Sequence, residues 1–120
     1  ILNKHLQTKK YENVFFAGQI TGVEGYCESI STGLFAAINM DKYLKNEKMI
    51  ELTNSTMLGS LIDYITFEEH KKFQPINSNW GITKEVIGDK KKLKDKNYKN
   101  EIRSNRALDE IEKVKQEFNL

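Results

Sequence analysis

Cysteine, proline, histidine and tryptophan are nearly absent from this sequence. Its 120 residues hold one cysteine, one proline, two histidines and one tryptophan. A lone Cys27 cannot close an internal disulfide, and His5 and His70 lie too far apart in sequence to give metal-ligand spacing, so neither a disulfide scaffold nor a metal site is expected. No apolar run approaches the roughly 18 residues of a membrane span, and the opening "ILNKHLQTKK" lacks the layout of a signal peptide. A cytoplasmic protein with no membrane partner is the expectation. Charge of one sign is also scarce in excess: 19 Lys and Arg stand against 17 Asp and Glu, a formal +2. With 38% hydrophobic residues the chain suits one domain at most, with a modest core. It begins at Ile1 instead of methionine, as a piece of something longer would.

Glycine is scarce too, yet four of the seven, Gly18, Gly22, Gly25 and Gly33, fall in "FFAGQITGVEGYCESISTG", which begins at Phe15. Before them, "VFFA" reads as a short buried strand, because a continuous apolar run bounded by turn formers suits a strand covered on both faces. After them the period changes. From about Glu24, Ile30, Leu34 and Ile38, with Ala37, Met40 and Leu44 alternating, recur at three and four and predict one apolar face along a helix ending near Asn46.

Farther on, Met57, Leu58, Leu61, Ile62 and Ile65 predict a short amphipathic helix capped by Asn54 or Ser55. "KFQPINSNWGI" carries the only proline and tryptophan and reads as an irregular loop. Composition shifts near Thr83. From Lys84 to Lys99, seven lysines face Glu85, Asp89 and Asp95, a local excess of +4, so the other residues sum to −2. Beyond this basic linker, Ile102, Leu108, Ile111, Val114 and Phe118 predict a terminal helix packed on the rest, with interleaved charges outside. The expected division is therefore 1–83 and 84–120.

A strand, then glycines, then a helix start leaves backbone N–H groups free to meet an anion or an electron-rich ligand edge. The glycines remove side chains that would block approach, and the macrodipole adds positive potential. Gly18, Gly22 and Gly25 are spaced for this, while Gly33, inside the helix, predicts close packing against a neighbour. The spacing is not G-x-G-x-x-G, so the dinucleotide fingerprint is absent.

The wording of these segments goes further than their spacing. "LQTKKYENVFFAGQITGVEGY", "STGLFAAIN", "STMLGSLIDYIT" and "FQPINSNWGI", in that order, resemble the C-terminal portion of the folate- and FAD-dependent tRNA (uracil-5-)-methyltransferases, relatives of the GidA flavoproteins. The resemblance covers nearly the whole chain. It implies an α/β fold for the intact protein: a two-domain, FAD-binding flavoprotein of the glutathione-reductase kind. This chain would be mostly helical, with one or two short strands near residues 13 to 17. The implied activity moves a one-carbon unit from methylenetetrahydrofolate to C5 of a T-loop uridine in tRNA, using FAD with NAD(P)H as reductant.

Carried over by residue, the resemblance sets Gln19 against FAD with Gly18 and Ile20 flanking it, and runs Gly22 to Tyr26 past the isoalloxazine edge. Donors there would stabilise negative charge on the reduced ring. Glu24 reads equally as a flavin neighbour or as a solvated first-turn residue, and Tyr26 as a stacking group or a core residue. No catalytic residue is assigned. Cys27, at a helix start, suits a nucleophile, but the family usually has an apolar residue there and keeps its catalytic cysteines in the portion outside this chain. Ile76 and Trp80 stand where the family shows methionine and phenylalanine, changes that keep apolar bulk. Asn77 and Asn79 are expected to hold the loop's own backbone more readily than a pterin. The Lys84–Lys99 run, with Tyr98, suits salt-sensitive phosphate contacts on tRNA or a plain solvated surface.

Two function classes follow. One is part of the methyltransferase, needing an N-terminal portion that carries the pyrophosphate-binding fingerprint. The other is a non-catalytic helical interaction or RNA-binding fragment derived from such an enzyme.

Overall fold

The computed structural model describes residues 1–120. Three α-helices carry the fold: α1 Tyr26–Leu44, α2 Met57–Thr66 and α3 Lys96–Phe118. Single 3-10 turns at Gln19–Thr21, Trp80–Ile82 and Lys92–Lys94 punctuate the connections. The predominantly helical composition expected from the sequence is present.

The expected strand at 13 to 17 is reduced to isolated bridges. Gln7 pairs antiparallel with Phe15, Leu2 with Thr8, and Val23 parallel with Ile76. "VFFA" is only half-buried, with Phe16 exposed. The physical reason is that a ladder needs a neighbour of comparable length, and the only backbone beside Phe15 is the short turn around Leu6. Leu6 holds that turn at φ +63°, a region costly for a leucine, while its side chain is fully buried.

The core joins Leu6, Phe35, Ala36, Ile50, Leu52 and Ile62, flanked by Phe15, Ile38, Leu58, Ile65 and the α3 residues Ile111, Val114 and Phe118. It is small: 18 of 120 residues are buried. The radius of gyration is 15.4 Å, where a compact domain of this length would have about 14 Å.

The apolar face predicted for α1 is a correction. Ile30 and Leu34 are 71% and 63% exposed, and Leu44 is exposed as well. The buried stripe is Thr32, Phe35, Ala36 and Asn39. Hydrophobic periodicity marks the stripe richest in apolar carbon, whereas burial here follows the stripe whose polar members find partners. Asn39 Oδ1 accepts from the Ile50 N–H at 2.7 Å, and its Nδ2 donates to the Ile50 carbonyl at 3.2 Å. It thereby pairs with the Ile50 backbone much as a strand residue would.

Other local expectations shift by a residue or a turn. Thr56, not Asn54 or Ser55, caps α2 by accepting from the Gly59 N–H at 2.9 Å. Gly59 lies against the Leu52 and Thr53 carbonyls, where an added Cβ would collide with backbone. Gly33, by contrast, faces open space, because no element of this chain reaches that side of α1. On α3, Leu108 is exposed rather than packed.

Candidate functional site

The glycine segment folds as a tight 3-10 turn running into α1. Gly18, Gly22 and Gly25 all adopt positive φ, at +78°, +102° and +98°, where a side chain would be strained. The Thr21 N–H donates to the Gly18 carbonyl at 2.9 Å and the Gly22 N–H to the Gln19 carbonyl at 3.0 Å. Gln19 and Ile20, between these bonds, are exposed at the tip of the turn.

The three glycines differ in what surrounds them. Beside Gly18 the nearest group is Ser29, at ordinary contact distance. At Gly22 the space a side chain would take is filled by the Phe73 ring, and at Gly25 by the Glu28 carboxylate. Only part of the segment therefore offers bare backbone to a ligand. At Gly22 the absent side chain leaves room for the Phe73 ring.

The helix start carries no side-chain cap, although the Glu28 carboxylate lies beside it. Gly25 is the N-cap and supplies no capping side chain. The first-turn N–H groups of Tyr26 and Cys27 precede any intrahelical acceptor, and the Tyr26 side chain is 91% exposed. Tyr26 therefore does not belong to this chain's core. Glu24 is exposed, and its N–H donates to the Ile76 carbonyl at 2.9 Å. Cys27 is exposed and free.

A residue that sequence reasoning missed holds the turn to the helix. Thr32, fully buried, accepts from the Gly18 N–H at 2.9 Å and donates to the Glu28 carbonyl at 2.8 Å. A threonine on an apolar-rich helix gives no distinct pattern; the available signal was its place two turns after the glycines.

The "FQPINSNWG" loop lies across the same turn. The Ile76 N–H donates to the Gly22 carbonyl at 2.9 Å, completing the bridge with Val23. Tyr64 Oη donates to the Gln74 carbonyl at 2.9 Å. Glu28 Oε1 accepts from both the Ser78 N–H, at 2.9 Å, and Ser78 Oγ, at 2.5 Å. These bonds from Ser78 hold the Glu28 carboxyl below its ordinary value of 4.5. Asn79 turns inward on its own loop, accepting from the Gly81 N–H and donating to the Asn77 carbonyl, both at 3.0 Å. The structure thus brings Gly18 to Tyr26 and residues 74 to 79 together, although they stand about 50 positions apart.

The Lys84–Lys99 run is elsewhere. Most of its lysines are exposed, and it passes into α3 through Asp95, whose carboxylate caps the helix by accepting from the Asn97 N–H. The Arg103 guanidinium stacks 5.5 Å from the Trp80 ring centroid. Arg106 donates to the carbonyls of Lys84 and Glu85. No helix is long and apolar enough to cross a membrane.

The family model described as glucose inhibited division protein A matches residues 1–48. The methylenetetrahydrofolate--tRNA-(uracil-5-)-methyltransferase TrmFO of Brevibacillus brevis is 45% identical over 117 residues, which is 98% of this chain and 26% of that protein. Proteins of the same name from Streptococcus uberis and Enterococcus faecalis are 44% and 46% identical, over 93% and 91% of this chain and 25% and 24% of their own lengths. The chain spans about a quarter of the length of these curated relatives.

Proposed function

We infer that this chain, which belongs to the family of the GidA-related tRNA (uracil-5-)-methyltransferases, is the C-terminal portion of such a flavoenzyme and contributes one edge of its flavin site. The observation that carries this reading is identity of 45% sustained along 98% of the chain. The exposed apolar groups of α1, Tyr26, Ile30 and Leu34, support it, since they are surface that a larger fold would cover.

The intact protein would be an α/β, two-domain flavoprotein of the glutathione-reductase kind, acting in the cytoplasm. Residues 1–83 would close its FAD-binding domain, and 84–120 would form a basic linker and terminal helix. The residues present fit FAD only in part. Gly18, Gln19 and Ile20 offer an exposed turn, and the start of α1, with no side-chain cap, offers the Tyr26 and Cys27 N–H groups at the positive end of a 19-residue helix, a potential partly offset by the neighbouring Glu28 carboxylate. Gly22 shapes the turn from beneath, and Glu24 stands at its rim. Such donors suit the ring edge on which negative charge grows on reduction. They form no pyrophosphate cradle, which the N-terminal portion must bring. Bound FAD, reduced by NAD(P)H, would supply the electrons that bring the one-carbon unit of methylenetetrahydrofolate to a methyl group on uridine C5 of tRNA. The exposed Cys27 thiol makes no hydrogen bond to a base, and methyl transfer is assigned to the N-terminal portion.

The chain alone should bind FAD weakly and transfer no methyl group. A few ring-edge hydrogen bonds, each worth about 0.5–1.5 kcal/mol, must offset an association cost of about 4 kcal/mol or more. The experiment is a fluorescence titration with FAD and a methyl-transfer assay on unmodified tRNA, each with and without the N-terminal portion. Activity only on mixing supports the reading. Tight flavin binding or turnover by the chain alone overturns it, and tRNA binding with no flavin response on mixing favours the RNA-binding fragment. In the full-length protein, Gln19→Ala should weaken FAD binding or shift its potential, whereas Cys27→Ser should leave methyl transfer nearly intact.

A further inference from the structure

A glutamate in the first turn of a helix ordinarily extends into water, where it gains a little from the macrodipole. Glu28 instead folds sideways. Both of its side-chain hydrogen bonds to other residues go to Ser78, 50 positions away, through the backbone N–H and the hydroxyl. Its carboxylate also fills the space beside Gly25 that any side chain there would claim. Gly25 at φ +98° is thus matched to Glu28 as well as to the helix start.

The loop that Glu28 grips is held elsewhere at its beginning, at its middle and, just beyond its end, by the Arg103 stack on Trp80. The Ile76 bridge fixes its middle to Gly22 and Glu24, and Tyr64 fixes Gln74 at its beginning. Beyond Ile76, Asn77 and Asn79 bond only within the loop and the turn that follows it. Glu28 is therefore the side chain that bonds the 77–79 stretch directly to the start of α1. A charged acceptor is suited to this, because hydrogen bonds to an ionised group are stronger than neutral ones and a single oxygen here takes two.

We propose that Glu28 is a positioning residue that holds the Ile76–Asn79 loop beside the Gly22–Tyr26 turn, so that two distant segments present one fixed rim to the flavin ring. The rim role rests on the flavoprotein reading above; the holding of the loop does not. Glu28 touches no reacting group and acts through Ser78.

The test uses two readouts. In the 120-residue chain without flavin, amide hydrogen exchange at residues 76–79 is compared for wild type, Glu28→Ala and Glu28→Gln. In the full-length protein, FAD affinity is measured for the same variants. Glu28→Ala should speed exchange at Ser78 by roughly tenfold, the loss of a charge-assisted bond, and weaken FAD by several-fold. Glu28→Gln keeps a neutral carbonyl acceptor at the same reach without the charge, and should fall between wild type and Ala in both readouts. If Glu28→Ala does not fold, Ser78→Ala removes only the hydroxyl contact and should give an intermediate loss in each readout. Unchanged exchange in Glu28→Ala, or in Ser78→Ala where that stands in for it, overturns the proposal, as does a Gln variant as impaired as Ala. Faster exchange with unaltered flavin affinity overturns the rim role. A wild-type full-length protein that binds no FAD defeats the flavoprotein reading instead, and the exchange data still decide whether Glu28 holds the loop.

Discussion

The two long helices of this chain are held by opposite means. α1 is anchored by buried polar groups: Thr32 and Asn39, both fully buried, tie it to the Gly18 turn and to Ile50. α3 has no buried residue. It lies on the surface through the half-buried Ile111, Val114 and Phe118, and through polar contacts at its edge, such as Glu110 accepting from Thr53 and Lys42 donating to the Phe118 carbonyl. Every buried residue except Thr83 and Val86 falls between Leu6 and Ile62. The difference teaches that the part bearing the candidate site is built for fixed geometry, because a buried hydrogen bond has one acceptable arrangement. A rim of exposed charges tolerates many.

Substitutions sharpen this contrast. Asn39→Ala should have the largest effect, a loss of about 3 kcal/mol in chemical denaturation, since it opens a cavity and leaves the buried Ile50 N–H without its acceptor. A loss below about 1 kcal/mol would remove the basis of the comparison. Gly59→Ala should cost about 2 kcal/mol through overpacking against the Leu52 and Thr53 carbonyls, measured by thermal unfolding. Thr32→Val, nearly isosteric, should cost about 1 kcal/mol by leaving the Gly18 N–H unpaired, and faster amide exchange confined to residues 18–22 would locate the damage.

A pH titration probes the seam between the turn and the loop. The folded-state pKa of Glu28 lies below its ordinary value of 4.5. Its contribution is therefore complete above that value and is lost as the pH falls through the lowered pKa. Glu68, lowered by its pairing with Lys9, follows the same direction. Nuclear magnetic resonance should show the Ser78 amide moving with the Glu28 carboxyl in acid while the α3 amides stay still. The smallest effect belongs to α3: Leu108→Ala should change stability by less than about 0.5 kcal/mol, because that side chain is exposed. A large effect would mean that the Leu108 side chain is covered in solution.

Much of the fold was legible along the chain. The helices near 26–44 and 57–66 followed from three-and-four spacing, and the terminal helix from the same signal. The glycine turn was legible because Gly18, Gly22 and Gly25 each occupy a backbone region other residues avoid. The burial stripe of α1 was not, since Ile30 and Leu34 outscore Thr32 and Asn39 on any apolar scale and lose only because nothing in this chain covers them. Nor was Glu28's role, which depends on a serine 50 residues away whose own neighbours look like an ordinary loop.

The sequence by itself determined where helices form, where the backbone must turn through positive φ, and which family's order of segments this chain follows, because all three are set by neighbours within a few positions or by the order of the letters. Only the tertiary structure decided which face of α1 is buried, that the Phe73 ring packs against Gly22, and that Glu28 joins the helix start to the Ser78 loop. Those outcomes depend on which distant group reaches a given donor or cavity first, and local periodicity carries no record of that distance.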